Sequence, residues 1–267
     1  MGVALEQPEV SSRNGRLLEV TDVSVRFGGI VALDGVSFGV ESGQIAGLIG
    51  PNGAGKTTLF NCLSRLYECG SGDIRFDGAS LLSVPRHRCA ALGIGRTFQN
   101  LALFRTMTVL DNVMVGRHSR TSSGFFVNSL RLPGVAREEA DTLEKARALI
   151  KLLDLDAVAA TRVMDLPFGT QKRVELARAL AAEPKLLLLD EPASGLNHEE
   201  VHALGRLIME IRDKLSLTVL LVEHHMSLVM SVSDRVVALN FGRKIAEGTP
   251  AEVQKHPEVI QAYLGTA

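Results

Sequence analysis

The stretch that most constrains this chain is Gln44 to Leu59, where a short apolar run (Ile45, Ala46, Leu48, Ile49) breaks into Gly50-Pro51-Asn52-Gly53-Ala54-Gly55-Lys56-Thr57. The pattern G-x-x-x-x-G-K-[ST] suits one local structure: a buried strand, a glycine turn, and a helix running from Lys56 to about Arg65. Glycine has no Cβ, so the loop can take positive φ and aim its N–H groups inward at anionic oxygens. The helix start adds partial positive charge and Lys56 a full one, while the Thr57 hydroxyl is suited to a magnesium ion bridging terminal phosphates. Gly50 through Thr58 are therefore expected to cradle a nucleotide's phosphates. The context agrees, since the amphipathic series Leu59, Phe60, Leu63, Leu66 follows the loop.

Two further strand ends carry acids. Lys185-Leu-Leu-Leu-Leu-Asp190-Glu191-Pro192 reads as a buried parallel strand with carboxylates at its carboxyl end, the edge where α/β proteins bind ligands. An unpaired carboxylate is costly to bury, so a magnesium ion for Asp190 and a water for Glu191 account for them. The apolar run Leu217 to Val222 ends in Glu223-His224-His225. Neighbouring strand residues point to opposite sides, which makes the two histidines a poor metal pair; His224 reaching a terminal phosphate is the sharper reading.

Alternating apolar residues predict a hairpin of strands over Leu17 to Phe27 and Leu33 to Val40, and a short strand over Gly72 to Gly78. Phe27 is suited either to the core or to stacking on a nucleobase. From about 101 to 183 the chain changes character. It has a Ser/Gly-rich break, a turn expected at Pro133-Gly134, and helical periodicity over Glu138 to Leu153, an insert whose exposed face could dock another protein. A helix is expected just after Gly169, ending at Glu183-Pro184, and another over Glu199 to Asp213. Two antiparallel strands are expected over Val236 to Glu247, then a helix at Thr249-Pro250-Ala251-Glu252, which has capping-box spacing.

Bulk properties exclude several classes. The net charge is −1 and the pI about 6.7, so there is no basic footprint for nucleic acid. No apolar run approaches the about 18 residues of a membrane span. The N-terminus lacks a leader pattern, so residues 1–16 are expected to be a flexible arm in the cytoplasm. Cys62, Cys69 and Cys89 form no C-x-x-C pair and are expected to be reduced. At 267 residues, positions 17–267 fit one α/β domain with an inserted helical subdomain.

In this order the motifs resemble the ATP-binding cassette (ABC) transporter ATPases, from Leu17 to Leu264. The resemblance implies a P-loop fold: a RecA-like parallel core, an antiparallel β edge and a helical insert. It makes Gly50 to Thr57 the Walker A loop, Leu186 to Asp190 the Walker B strand, Glu191 the general base and His224 the switch histidine. Gln99 in Arg96-Thr-Phe-Gln99 would sense the γ-phosphate and ligate magnesium beside Thr57 and Asp190. Phe27 would stack on adenine, while Gly169 and Gln171 would face a nucleotide held by a second cassette.

Arg26-Phe-Gly-Gly29, Gly124-Phe-Phe126, Leu166-Pro-Phe-Gly-Thr-Gln171, Glu191-Pro-Ala-Ser-Gly-Leu-Asn197 and Tyr263-Leu-Gly265 are similar to one of the two ATPases of branched-chain (hydrophobic) amino-acid importers. That implies ATP and Mg2+ as ligands and a peripheral position on the cytoplasmic face of the inner membrane. The implied partners are permease subunits and a second ATPase, in a heterodimer or homodimer, with an external substrate-binding protein engaged indirectly. The usual L-S-G-G-Q signature reads L-P-F-G-T here, and Asn197 stands where an aspartate is usual. Importers of urea or amides, a soluble ABC ATPase and a non-hydrolysing nucleotide switch are the alternatives; Asp190-Glu191 argues against the last.

Overall fold

The computed structural model describes residues 15–97, 101–120 and 133–264. Gln99, nearly all of the expected arm, Gly124 to Phe126 and Gly265 lie outside the described residues. The chain opens with β1 (Arg16–Phe27), β2 (Ile30–Glu41) and β3 (Ile45–Ile49), then α1 (Lys56–Leu63), β4 (Ser71–Phe76), β5 (Ala79–Ser80), α2 (Cys89–Leu92) and β6 (Ile94–Arg96). The helical region follows as α3 (Val109–Gly116), α4 (Pro133–Leu152) and α5 (Phe168–Leu180). It leads into β7 (Leu186–Asp190), α6 (His198–Leu215), β8 (Thr218–Val222), α7 (Met226–Val232), β9 (Arg235–Asn240), β10 (Arg243–Gly248), α8 (Pro250–Gln254) and α9 (Pro257–Leu264).

Two sheets organise these elements. An antiparallel sheet runs β2-β1-β4-β5, and a second runs β10-β9-β3-β8-β7-β6, parallel except where β10 pairs with β9. The apolar runs of β3, β7 and β8 follow from burial on both faces. Ile45, Ile49, Leu187, Leu189, Val219 and Leu221 join one core, with Val174, Ala177, Ile208 and Val229 of the helices. The alternate residues Ala46, Leu48, Leu186, Leu188, Leu220 and Val222 join the other, with Leu59 and Phe60 of α1 and Leu18, Val20 and Val36 of the antiparallel sheet. Each fully buried Val, Leu, Ile or Phe side chain among these contributes about 1.5–3 kcal/mol, so the parallel sheet is held on both faces beneath the loops at its carboxyl edge.

Local chemistry decides the boundaries. Pro133 and Gly134, expected as a turn, are instead the first residues of α4; proline suits that place because its missing N–H has no intrahelical partner there. Helix α6 starts on a capping box, with Asn197 accepting from the Glu200 N–H and Glu200 accepting from the Asn197 N–H. Asparagine is among the strongest N-cap residues, about equal to aspartate, which suits Asn197 to this place. The expected box of α8, Thr249 with Glu252, is present with Pro250 at its start. The three cysteines are free thiols.

Candidate nucleotide site

The loop between β3 and α1 is held by close contacts on three sides. A Cβ on Gly50 would lie 2.3 Å from the Leu239 carbonyl oxygen, and one on Gly55 2.6 Å from that of Ala32, so both positions exclude any side chain. Gly53 has open space and φ +79, so there the backbone conformation alone makes the demand. From the β9–β10 turn the Gly242 N–H donates to the Ala54 carbonyl at 3.1 Å. The buried Lys56 ammonium donates to the carbonyls of Gly50 at 2.6 Å and Pro51 at 3.0 Å. Burial pulls its pKa below the usual lysine value, and the opposing charge of Glu191 partly restores it. Asn52 and Thr57 are exposed, and Pro51 and Thr58 half-buried. The Thr57 side chain therefore lies at the surface of a loop whose lysine is buried.

Facing it are the carboxyl ends of β7 and β8. Asp190 is buried, and its Oδ2 accepts from Arg96 of β6 at 2.8 Å. Arg96 also donates to Asn61 Oδ1 of α1 and to Oγ of Ser64, the residue that caps its C-terminus, at 3.0 and 2.9 Å. One guanidinium therefore joins the strand end to the helix that follows the phosphate loop. Glu191 lies just beyond β7 in the left-handed region, φ +47, with its N–H bonded to the Val222 carbonyl at 2.9 Å. His224 Nδ1 stands 3.9 Å from Glu191 Oε2. The sequence expectation that His224 and His225 diverge is wrong: β8 ends at Val222, alternation stops there, and the rings lie 4.5 Å apart. The ligand atoms of Glu223, His224 and His225 all fall within 4.8 Å of one another.

Phe27 ends β1 and is 46% exposed, its ring 5.1 Å from that of Tyr67 in an edge contact. The core reading of Phe27 is excluded, and a flat apolar face is left accessible. The helix expected after Gly169 begins earlier, at Phe168, with Pro167 as a cap that makes no side-chain bond. Gly169 packs on the Glu200 carboxylate, and the Gln171 amide donates to the Leu166 carbonyl at 2.8 Å. These contacts tie Gly169 and Gln171 to the start of α6 and to their own loop rather than to the phosphate loop. Phe168 lies against Gly195, where a Cβ would meet its ring at 2.9 Å, so the altered signature packs on the turn that follows Glu191.

The arrangement joins a glycine-rich loop with a buried lysine, a buried strand-end carboxylate, a second acid and an imidazole. Residues 33–194 match the family of ABC transporters. The chain belongs to the ABC transporter family. Its last part, residues 243–267, also matches the family described as branched-chain amino acid ATP-binding cassette transporters. The chain is 43% identical to the high-affinity branched-chain amino acid transport ATP-binding protein BraF of Pseudomonas aeruginosa, over 94% of this chain and 98% of that one. It is 41% identical to LivG of Escherichia coli, of the same description, with the same coverage. A nucleotide-free ATP-binding cassette from an ABC transporter superposes with a TM-score of 0.81 at 29% identity, covering 93% of this chain and 98% of that one. An ABC transporter cassette in its ADP conformation gives 0.81 at 28%, covering 94% and 99%.

As an ABC cassette the chain binds ATP and hydrolyses it to power transport. No described helix is long and apolar enough to cross a membrane. Arg96 and Glu223 stand in the sequence motifs but were given no role there. For Glu223 a signal existed, since it is a third acid at the end of an apolar run, like Asp190 and Glu191.

Proposed function

We propose that this cassette is the ATP-hydrolysing subunit of an importer for branched-chain or other hydrophobic amino acids. It works on the cytoplasmic face of the cell membrane with permease subunits and a second ATPase, and an external binding protein delivers the solute to the permease. The observation that carries the substrate class is similarity over 94% of the chain to two transport proteins of that description, together with the C-terminal match at 243–267.

Within the site, Gly50 to Thr58 bind the phosphates and Lys56 neutralises their charge. Glu191 orients and polarises the attacking water, and His224 senses the γ-phosphate with Gln99. Catalysis of this kind is positioning and charge stabilisation. The donors offered by Asp190 and Thr57, a carboxylate and a hydroxyl, are the hard oxygens magnesium takes, and these two residues, with Gln99, would hold it. Bound there, magnesium supplies positive charge to the phosphate oxygens.

Gly169 and Gln171 serve a nucleotide on the second ATPase. Pro167 offers neither N–H nor hydroxyl, so this contact is weaker than with the usual serine; a heterodimer would confine the deficit to one site. The exposed Val115 of the insert lines a groove of about 380 Å³ with Cys89, Ile94 and Arg178, and Phe104 and Met107 of the insert are also exposed. This face suits an apolar permease segment.

Purification of the tagged chain from membranes should bring down a permease and a second ATPase, and the complex should take up labelled leucine in preference to glycine or urea. Uptake of urea alone would overturn the substrate class. Replacing the half-exposed Phe27 by alanine should raise the ATP KM by about tenfold with kcat nearly unchanged, the worth of one stacked aromatic contact. An unchanged KM would remove Phe27 from the site.

A further inference from the structure

Glu223 follows the last residue of β8, and its side chain is fully buried. A carboxylate in that position is costly unless donors surround it. Three backbone N–H groups do so: Ala193 donates to Oε1 at 2.7 Å, while His224 and His225 donate to Oε2 at 3.1 and 3.3 Å. Ala193 belongs to the turn after Glu191, and the other two belong to the loop that carries His224. One buried carboxylate therefore joins the two segments that bear the acid and the imidazole.

The main chain supplies a second tie, the Glu191 N–H to Val222 carbonyl bond at 2.9 Å. That bond fixes the near end of the turn, and the Ala193 bond fixes its far side. Glu191 at φ +47 is in a conformation that a non-glycine residue keeps only where its surroundings hold it. The His224 side chain is half exposed, with Nδ1 3.8 Å from Glu223 Oε2 and 3.9 Å from Glu191 Oε2. Its ring lies 4.5 Å from that of His225, and Glu223 holds the backbone N–H groups of both residues, so the carboxylate fixes the chain that carries the ring pair.

We propose that Glu223 is a positioning residue for ATP hydrolysis, holding the Glu191 turn and the His224 loop at a fixed separation without touching the nucleotide itself. The proposal rests on the reading that Glu191 and His224 act at the γ-phosphate. A residue with this role moves kcat and leaves ATP binding alone, whereas a general structural residue moves both or neither.

The test compares Glu223→Ala and Glu223→Gln in the full chain at a temperature where each is folded by circular dichroism. Turnover and ATP affinity are measured separately, with Glu191→Gln as control. Glu223→Ala leaves the buried Ala193 N–H and the partly buried N–H groups of His224 and His225 without their acceptor, and kcat should fall by about tenfold or more with ATP affinity within about twofold of the parent. Glutamine keeps one carbonyl oxygen for the Ala193 N–H, so Glu223→Gln should fall between the two; it also carries the test if the alanine variant does not fold. A kcat within about twofold of the parent in the folded variants would overturn the proposal, as would ATP affinity falling in step with kcat. Near-normal turnover in the Glu191→Gln control would remove the underlying reading as well, an outcome distinct from failure at Glu223 alone.

Discussion

Glu191→Gln is expected to bind ATP with nearly parental affinity and to turn it over about 10²- to 10⁴-fold more slowly, the range for loss of a positioned general base. The substitution keeps the size of the side chain and its backbone bond to Val222, so the turn after β7 should persist. It removes the carboxylate that would polarise water, so the loss should appear in kcat rather than in binding. Glu191 also places negative charge near Lys56, opposing the effect of burial on that ammonium. A titration of ATP binding beside a steady-state rate separates the two effects, and turnover near the parental rate would deprive Glu191 of its role.

Lys56→Ala is expected to act on binding itself. Its ammonium is buried and tied to the Gly50 and Pro51 carbonyls at 2.6 and 3.0 Å, so it shapes the loop and, in the proposed role, would supply charge for phosphate oxygens. A charge-assisted hydrogen bond is worth about 1.5–3 kcal/mol, and loss of one or two should weaken ATP binding by about 10²-fold or more. Lys56→Arg should not rescue it, because the planar guanidinium is bulkier than the ammonium that these two carbonyls enclose. Calorimetric titration of folded variants decides the matter, and unchanged affinity in Lys56→Ala would contradict the assignment.

What could be read from the residues in order was whatever the local pattern dictates. The strands β3, β7 and β8 are continuous apolar runs because both of their faces are buried, and the α8 start is a capping box closed over three residues. In the turn between β3 and α1, Gly53 was legible locally, since its φ of +79 is a demand of the backbone alone, whereas Gly50 and Gly55 answer to the distant carbonyls of Leu239 and Ala32. The Arg96–Asp190 pair spans 94 positions and the Glu223–Ala193 bond spans 30, and both arise only because β6 and β8 flank β7. Glycine punctuation misled at Gly169, where the glycine lies inside the first turn of α5 to make room for the Glu200 carboxylate. It misled again at Pro133-Gly134, because proline opens a helix as readily as it ends one.

The most direct test places the complete complex, with permease, second ATPase and binding protein, in sealed vesicles. Labelled leucine accumulation is then compared between the parental chain and Glu191→Gln. ATP-dependent accumulation should be present with the parent and lost in the variant while the complex stays assembled and binds ATP. Equal accumulation with both would contradict the claim that hydrolysis by this chain drives transport.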